Sequence, residues 1–336
     1  MSRSVIAAMT AYTLELREAE IKLNQNESPS DWPRELKEQV LARAAARPWN
    51  RYPEFEATEL RTAIAAANGL AAENILVGNG SNELLAAAIG AYVGPGTPVV
   101  FPRPTFTLYE KLVTIAGGLP IPIELEPDIG LLPLDEMLRS VTPDAVVILC
   151  SPNNPTGGVL PSGGLEALLG SGAMVLFDRA YGDFAADTLP PLHPRLVTFS
   201  TFSKAWGLAA LRLGWLASTA ENCREIRKVK LPYSLNVISE AAAIVALENR
   251  AVRDANVARV VAERERIFAA MQAIGGVTPC PSRANFIFFR VREPRRVFED
   301  LCARGMLIRE YADALRVSIG SPEQNDRFLE ALESCA

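Results

Sequence analysis

The chain has 336 residues, 34 Lys and Arg against 39 Asp and Glu, and 49% hydrophobic residues, enough for one large globular domain and a smaller one. The acidic balance and scattered cations leave no basic stripe, which excludes a nucleic-acid partner on electrostatic grounds. Five widely spaced cysteines with no C-x-x-C pair argue against a disulfide framework and a zinc site, so no metal is expected and a reducing, cytoplasmic compartment is.

Along the chain, residues 14–18 read as an amphipathic helix rather than as part of a cleaved leader. No apolar run approaches the roughly 18 residues of a membrane span, so a soluble protein is expected. Short apolar, β-branched runs follow at 74–77, 98–101, 145–149, 174–177 and 196–199, with helical stretches between them. Continuous apolar runs of that length suit strands buried on both faces. Their alternation with helices predicts an α/β domain with a mostly parallel sheet. The C-terminal third differs: a charged helical stretch over 239–271, then strand-like runs at 285–289, 306–308 and 314–319, read as a smaller α+β unit. The expected division is 1–48 as an N-terminal arm and part of the small domain, 49–240 as the large domain and 241–336 as the rest of the small one.

Four of the five buried runs are followed by polar clusters. Gly78-Asn79-Gly80-Ser81-Asn82-Glu83 follows the first, Ser151-Pro152-Asn153-Asn154-Pro155-Thr156-Gly157 the third, Asp178-Arg179-Ala180-Tyr181 the fourth, and Ser200-Thr201-Phe202-Ser203-Lys204 the fifth. Ligands of open α/β sheets bind outside the carboxyl ends of strands, so these clusters predict one shared site. The only histidine, His193, sits among prolines in Leu189-Pro190-Pro191-Leu192-His193-Pro194. A loop histidine of this kind is a connection rather than a general base.

The segment 78–83 enters a helix, and its N–H groups could hold a phosphate; the alternative is a simple turn at Gly80 with Ser81 or Asn82 as helix cap. It is not a dinucleotide fingerprint, because Glu83 replaces the third glycine. Lys204 follows an apolar strand, with Arg212 eight residues on. Apolar neighbours and nearby cations favour a neutral amine, as Schiff-base formation requires. Asp178 could cap a helix, or could face a pyridine nitrogen and keep it protonated, with Tyr181 and Asn154 beside it.

Together these residues resemble the fold-type I pyridoxal-phosphate aminotransferases, and most closely the histidinol-phosphate family. The resemblance runs from Lys22-Leu23-Asn24-Gln25-Asn26-Glu27-Ser28-Pro29 and Arg51-Tyr52-Pro53, through Asn153-Asn154-Pro155-Thr156-Gly157 and the lysine segment, to Leu315-Arg316-Val317-Ser318-Ile319-Gly320. It implies a three-layer αβα large domain with a mixed, mostly parallel sheet, and pyridoxal 5'-phosphate as cofactor. Lys204 would carry the cofactor, Asp178 pair with its ring nitrogen, Tyr181 and Asn154 contact its phenolate oxygen, and Phe106 stack on its ring. Ser81, Asn82, Thr201, Ser203 and Arg212 would hold its phosphate, joined by Tyr52 from the second subunit of a homodimer. Arg316, Arg309 and Asn26 would bind substrate. The implied reaction moves an amino group from L-histidinol phosphate to 2-oxoglutarate, giving imidazole-acetol phosphate and L-glutamate in histidine biosynthesis. Lys204 would act as the proton carrier of a two-stage cycle. The alternative is a related enzyme that acts on aromatic amino acids or decarboxylates threonine phosphate. Arg179 stands where the family commonly has Glu, and Ser200 where Arg often precedes the Thr-x-Ser-Lys run.

Overall fold

The computed structural model describes residues 3–11, 17–126 and 130–336; the helix expected at 14–18 falls mainly outside them. In chain order the strands are β1 Ile21–Lys22, β2 Ile75–Asn79, β3 Pro98–Arg103, β4 Leu119–Glu124, β5 Val146–Cys150, β6 Met174–Asp178, β7 Leu196–Thr201, β8 Leu213–Ala217, β9 Thr278–Pro279, β10 Phe286–Arg290, β11 Met306–Leu307, β12 Arg309–Glu310 and β13 Leu315–Ser318. Seven of them form the large sheet in the order β2-β8-β7-β6-β5-β3-β4. Only β8 runs against its neighbours; β4, β3, β5, β6 and β7 pair in parallel.

The five expected strands all form within this sheet, and the reason for their unbroken apolar sequence is visible in it. Along β5, Val146, Ile148 and Cys150 pack into one core layer, while Val147 and Leu149 pack into another on the opposite face. Side chains alternate across a strand, so a sheet covered by helices on both faces needs apolar residues at every position. The two strands the sequence reading misses have separate causes. Pro120 and Pro122 obscure β4, which forms because it is the edge strand, where a missing N–H breaks no interior ladder. The run that becomes β8 begins one residue after Arg212 and resembles the continuation of the lysine segment.

The stretch expected as one helix over 239–271 is two helices, Val237–Glu248 and Arg250–Ala273. Asn249 separates them. Its side-chain amide donates to the carbonyl of Val245 at 2.9 Å, a local bond that competes with helix continuation. The first of the pair buries Ala241, Ala242, Ala243 and Ala246 against helices Arg34–Ala45 and Thr58–Ala67; it spans the domain boundary expected at 240/241. A four-stranded antiparallel sheet, β12-β13-β10-β9, forms near the C-terminus, and β1 pairs with β11. The N-terminal segment is thereby tied to the C-terminal region through Ile21 and Met306. Among the described residues no helix is long and apolar enough to cross a membrane.

Candidate active site

The carboxyl ends of β2, β5, β6 and β7 open on a cavity of about 640 Å³. Ser81, Asn82, Phe106, Asn154, Asp178 and Tyr181 all line it, as do Thr201, Ser203, Lys204 and Arg212, and Asn26, Arg309 and Arg316 close the remaining side. The structure thus brings together every expected site residue but Tyr52. That side chain is 80% exposed and stacks on Tyr233 with ring centroids 4.7 Å apart, outside the cavity. His193 also lies apart: its Nδ1 accepts from the N–H of Arg195 in a turn.

One end of the cavity is an anion cradle. Helix Ser81–Tyr92 starts after Gly80 without any side-chain cap, so neither Ser81 nor Asn82 serves as the cap considered from the sequence. The leading turn offers its N–H dipoles to an anion. Because β8 is antiparallel to β7, it begins where β7 ends, with Thr201 opposite Gly214. The chain therefore returns Arg212 to the carboxyl edge it had just left. Arg212 has φ 49, a left-handed backbone rare outside glycine, and its Nη1 donates to Ser203 Oγ at 3.3 Å and to the carbonyl of Ala209 at 3.0 Å. Two glycines permit the approach. A Cβ on Gly80 would meet Arg212 Nη2 at 2.8 Å, and one on Gly214 would meet the backbone nitrogen of Ser81 at 2.2 Å.

Lys204 sits between this cradle and a second group of cations. Its Nζ donates to the carbonyl of Gln25 at 2.8 Å. Burial, and then the charge of Arg316, bring the amine from 10.5 down to about 7; Arg212 adds to the effect, against an opposing pull from Glu27 and Asp178. Near neutral pH a large fraction of the amine is therefore unprotonated and nucleophilic.

Asp178 ends β6 and is buried. Burial pushes its carboxyl up from the ordinary range, while the Tyr109 hydroxyl, the Ala180 N–H and Lys204 pull it back. Tyr109 donates to Oδ2 at 2.8 Å and Ala180 to Oδ1 at 2.9 Å. Tyr181 accepts from Asn26 Nδ2 at 2.9 Å, which leaves its own hydroxyl proton for another acceptor. Asn26 holds this bond from a left-handed backbone, φ 55. Ser318 Oγ fixes it, accepting from its N–H at 2.8 Å and donating to its Oδ1 at 3.0 Å.

The second cationic group comes from the C-terminal sheet. Arg316 is 5% exposed, and its guanidinium donates to Asn154 Oδ1, to Tyr311 Oη at 3.2 Å and to the carbonyl of Asn24 at 2.7 Å. All three acceptors are neutral, and among the described residues the charge has no carboxylate partner. Arg309 lies opposite Arg316 on the paired strand and, among the described residues, makes no side-chain hydrogen bond or ion pair. Within the Asn153-Asn154 pair the roles divide. Asn153 is fully buried and donates to the Pro104 carbonyl and Thr156 Oγ1, both at 2.9 Å, holding the turn, while Asn154 reaches the cavity.

Sequence reasoning misses Tyr109, Tyr311 and the Gln25 carbonyl. Tyr109 is 69 residues from Asp178, and no local motif announces the pair; the available signal is that a buried tyrosine hydroxyl needs a partner. A backbone carbonyl carries no sequence signal at all. Of the two departures from the family pattern, Arg179 turns to the Asp187 carbonyl at 2.8 Å, and Ser200 lies on β7 beside Trp215 of β8.

Fold and site together define an α/β protein whose cavity holds a buried lysine amine among arginines. Comparison with known proteins carries this to a family: the model of aminotransferase class I and II matches residues 18–332, and the chain belongs to that family. It is 36% identical to the histidinol-phosphate aminotransferase of Chlorobium phaeovibrioides, over 96% of this chain and 94% of that protein. It is 37% identical to the protein of the same name from Aquifex aeolicus, over 98% and 96%. Among solved structures, histidinol-phosphate aminotransferase from Sinorhizobium meliloti in complex with pyridoxal-5'-phosphate superposes with a TM-score of 0.87 at 25% identity, over 99% of this chain and 98% of that one. The expected fold, a three-layer fold-type I aminotransferase with a mixed sheet, is the one observed.

Proposed function

We propose that this aminotransferase uses pyridoxal 5'-phosphate to exchange the amino group of L-histidinol phosphate with 2-oxoglutarate, in histidine biosynthesis. One observation carries the reading: a lysine amine held near neutrality is flanked by two arginine groups that have no carboxylate partners among the described residues. The cofactor fits the first group. The uncapped helix start, Arg212, Ser203 and Thr201 supply donors for its phosphate, and the two glycines leave the space that a Cβ would fill. Asp178 would face its ring nitrogen, Tyr181 and Asn154 its phenolate oxygen, and Phe106 its ring face. When bound, pyridoxal phosphate supplies an aldehyde for the amino group and a ring that draws electrons from the substrate's Cα–H bond.

The chain's own residues do the rest. Lys204 would hold the cofactor, and its amine would carry the proton that leaves the substrate Cα. Arg316 and Arg309 grip the distal anion, a phosphate in one half of the cycle and a carboxylate in the other. An arginine fork suits both geometries. Buried Asn26 holds Tyr181 and stands at the substrate side of the cavity. Tyr52 would act from the partner subunit of a homodimer, in keeping with its exposure on this chain. The wide spacing of the cysteines, with no C-x-x-C pair, suits a cytoplasmic, reducing setting.

The test is a direct assay with L-histidinol phosphate, aromatic amino acids and threonine phosphate, following glutamate formed from 2-oxoglutarate and any carbon dioxide released. Glutamate should form fastest with histidinol phosphate; release of carbon dioxide from threonine phosphate would overturn the reading. Arg309→Ala should lower kcat/KM for histidinol phosphate about tenfold or more, by loss of a charge-assisted bond, and for an aromatic amino acid much less. Equal losses would remove Arg309 from the phosphate site.

A further inference from the structure

The hairpin that carries both substrate-side arginines holds a third group. Strands β12 and β13 are antiparallel with Arg309 directly opposite Arg316, and the N–H of Tyr311 donates to the Ala314 carbonyl at 2.9 Å across a turn of Ala312 and Asp313. Residues two apart on a strand share a face, and so do residues directly opposite. Arg309, Tyr311 and Arg316 therefore project to one side, and all three line the cavity. Glu310, between them in sequence, faces away and pairs with Arg295 at 2.6 Å.

Tyr311 is held rigidly there. Its ring packs edge-on against Phe288, centroids 5.5 Å apart, and Phe288 in turn lies opposite Arg316 on β10. Its oxygen accepts from Arg316 Nη1 at 3.2 Å. A phenol that accepts from an arginine keeps its own proton, and among the described residues no acceptor receives it.

We propose that the Tyr311 hydroxyl is a specificity-determining donor of the substrate-anion site, completing with Arg309 and Arg316 a set of three. A phosphate monoester presents three non-bridging oxygens in three directions, whereas a carboxylate presents two in one plane. Two arginines span the two oxygens of a carboxylate; a phosphate adds a third oxygen, out of that plane, for the third donor. This deepens the function proposed above and rests on it.

The experiment compares the loaded enzyme with Tyr311→Phe, which keeps the ring and its packing on Phe288; unchanged thermal melting checks the fold. The variant should lose about tenfold or more in kcat/KM for L-histidinol phosphate, chiefly through KM, as for removal of a hydrogen bond to a charged group. For 2-oxoglutarate the change should stay within about threefold, the size of an ordinary uncharged contact. Calorimetric binding of inorganic phosphate to the loaded enzyme should weaken in parallel. Equal losses for both substrates would mean that Tyr311 only steadies Arg316 and would overturn the proposal, as would no loss for either. If the wild-type enzyme ignores histidinol phosphate yet the variant still binds inorganic phosphate more weakly, the proposed substrate fails while the third donor stands. If phosphate binding is also unchanged, both fail.

Discussion

The Lys204 amine takes its proton affinity from its surroundings. A lysine at the end of a strand is ordinarily a solvated cation, and here burial and two neighbouring arginines lower the amine to about 7. The sign of the pH dependence follows, because only the neutral amine attacks an aldehyde and it is the form above the pKa. With the cofactor-free protein, the rate of condensation with pyridoxal phosphate should rise through pH 7 and level off within about 1.5 units above it. A rate that keeps climbing toward the 10.5 of an ordinary lysine would show that the site does not depress the amine. In Lys204→Ala the protein-linked, borohydride-reducible chromophore should be absent altogether. At this scale much of the site is legible in sequence, because Lys204, Asp178, Asn154 and Arg212 each follow or precede an apolar run. Tyr109 and Tyr311 are not legible, since each acts through a partner brought to it by packing or by a turn.

At the scale of elements, the site depends on how closely two of them approach. Strand β8 presses Gly214 against the start of helix Ser81–Tyr92, and an added Cβ there would lie 2.2 Å from the nitrogen of Ser81. The contact is with backbone, so relief requires the helix start to move. Gly214→Ala should weaken binding of pyridoxal phosphate about tenfold or more, as N–H donors leave their aim. Overpacking should also destabilise the fold by about 1–3 kcal/mol. Fluorescence titration of the cofactor and urea unfolding measure the two effects; unchanged affinity would mean that the cradle does not bind the phosphate. The reach of sequence reading is uneven here too. Period and composition find the five interior strands, because burial on both faces dictates every residue in them. They do not find β4, whose prolines are tolerated only by its edge position, and they merge two helices that a single Asn249 side chain divides.

For the whole molecule, the exposed face around Tyr52 matters most. Trp49, Tyr52, Phe55, Leu231 and Tyr233 are large apolar side chains left at the surface, with Tyr52 at 80%, Trp49 at 69% and Leu231 at 67% exposure. Tyr52 and Phe55 both pack on Tyr233, so part of this surface is contiguous. Contiguous apolar surface of this kind suits the homodimer proposed above. Sedimentation should find a homodimer, and Tyr52→Ala should weaken cofactor binding about tenfold, as for a lost hydrogen bond to a charged phosphate, without dissociating the dimer. A monomer with full cofactor affinity would remove Tyr52 from the site.

The sequence by itself determined the alternation of strands and helices, the polar groups at the strand ends and the family, because these depend on local periodicity and on short segments that must bind one ligand. Tertiary structure alone decided which groups meet. It returned Arg212 to the lysine by reversing β8, set Tyr109 on Asp178, and aligned Arg309, Tyr311 and Arg316 on one face of a hairpin. The amine of Lys204 is near neutral for the same reason. Its proton affinity is the sum of burial and of charges just before β8 and on β13, and no stretch of sequence around the lysine contains that sum.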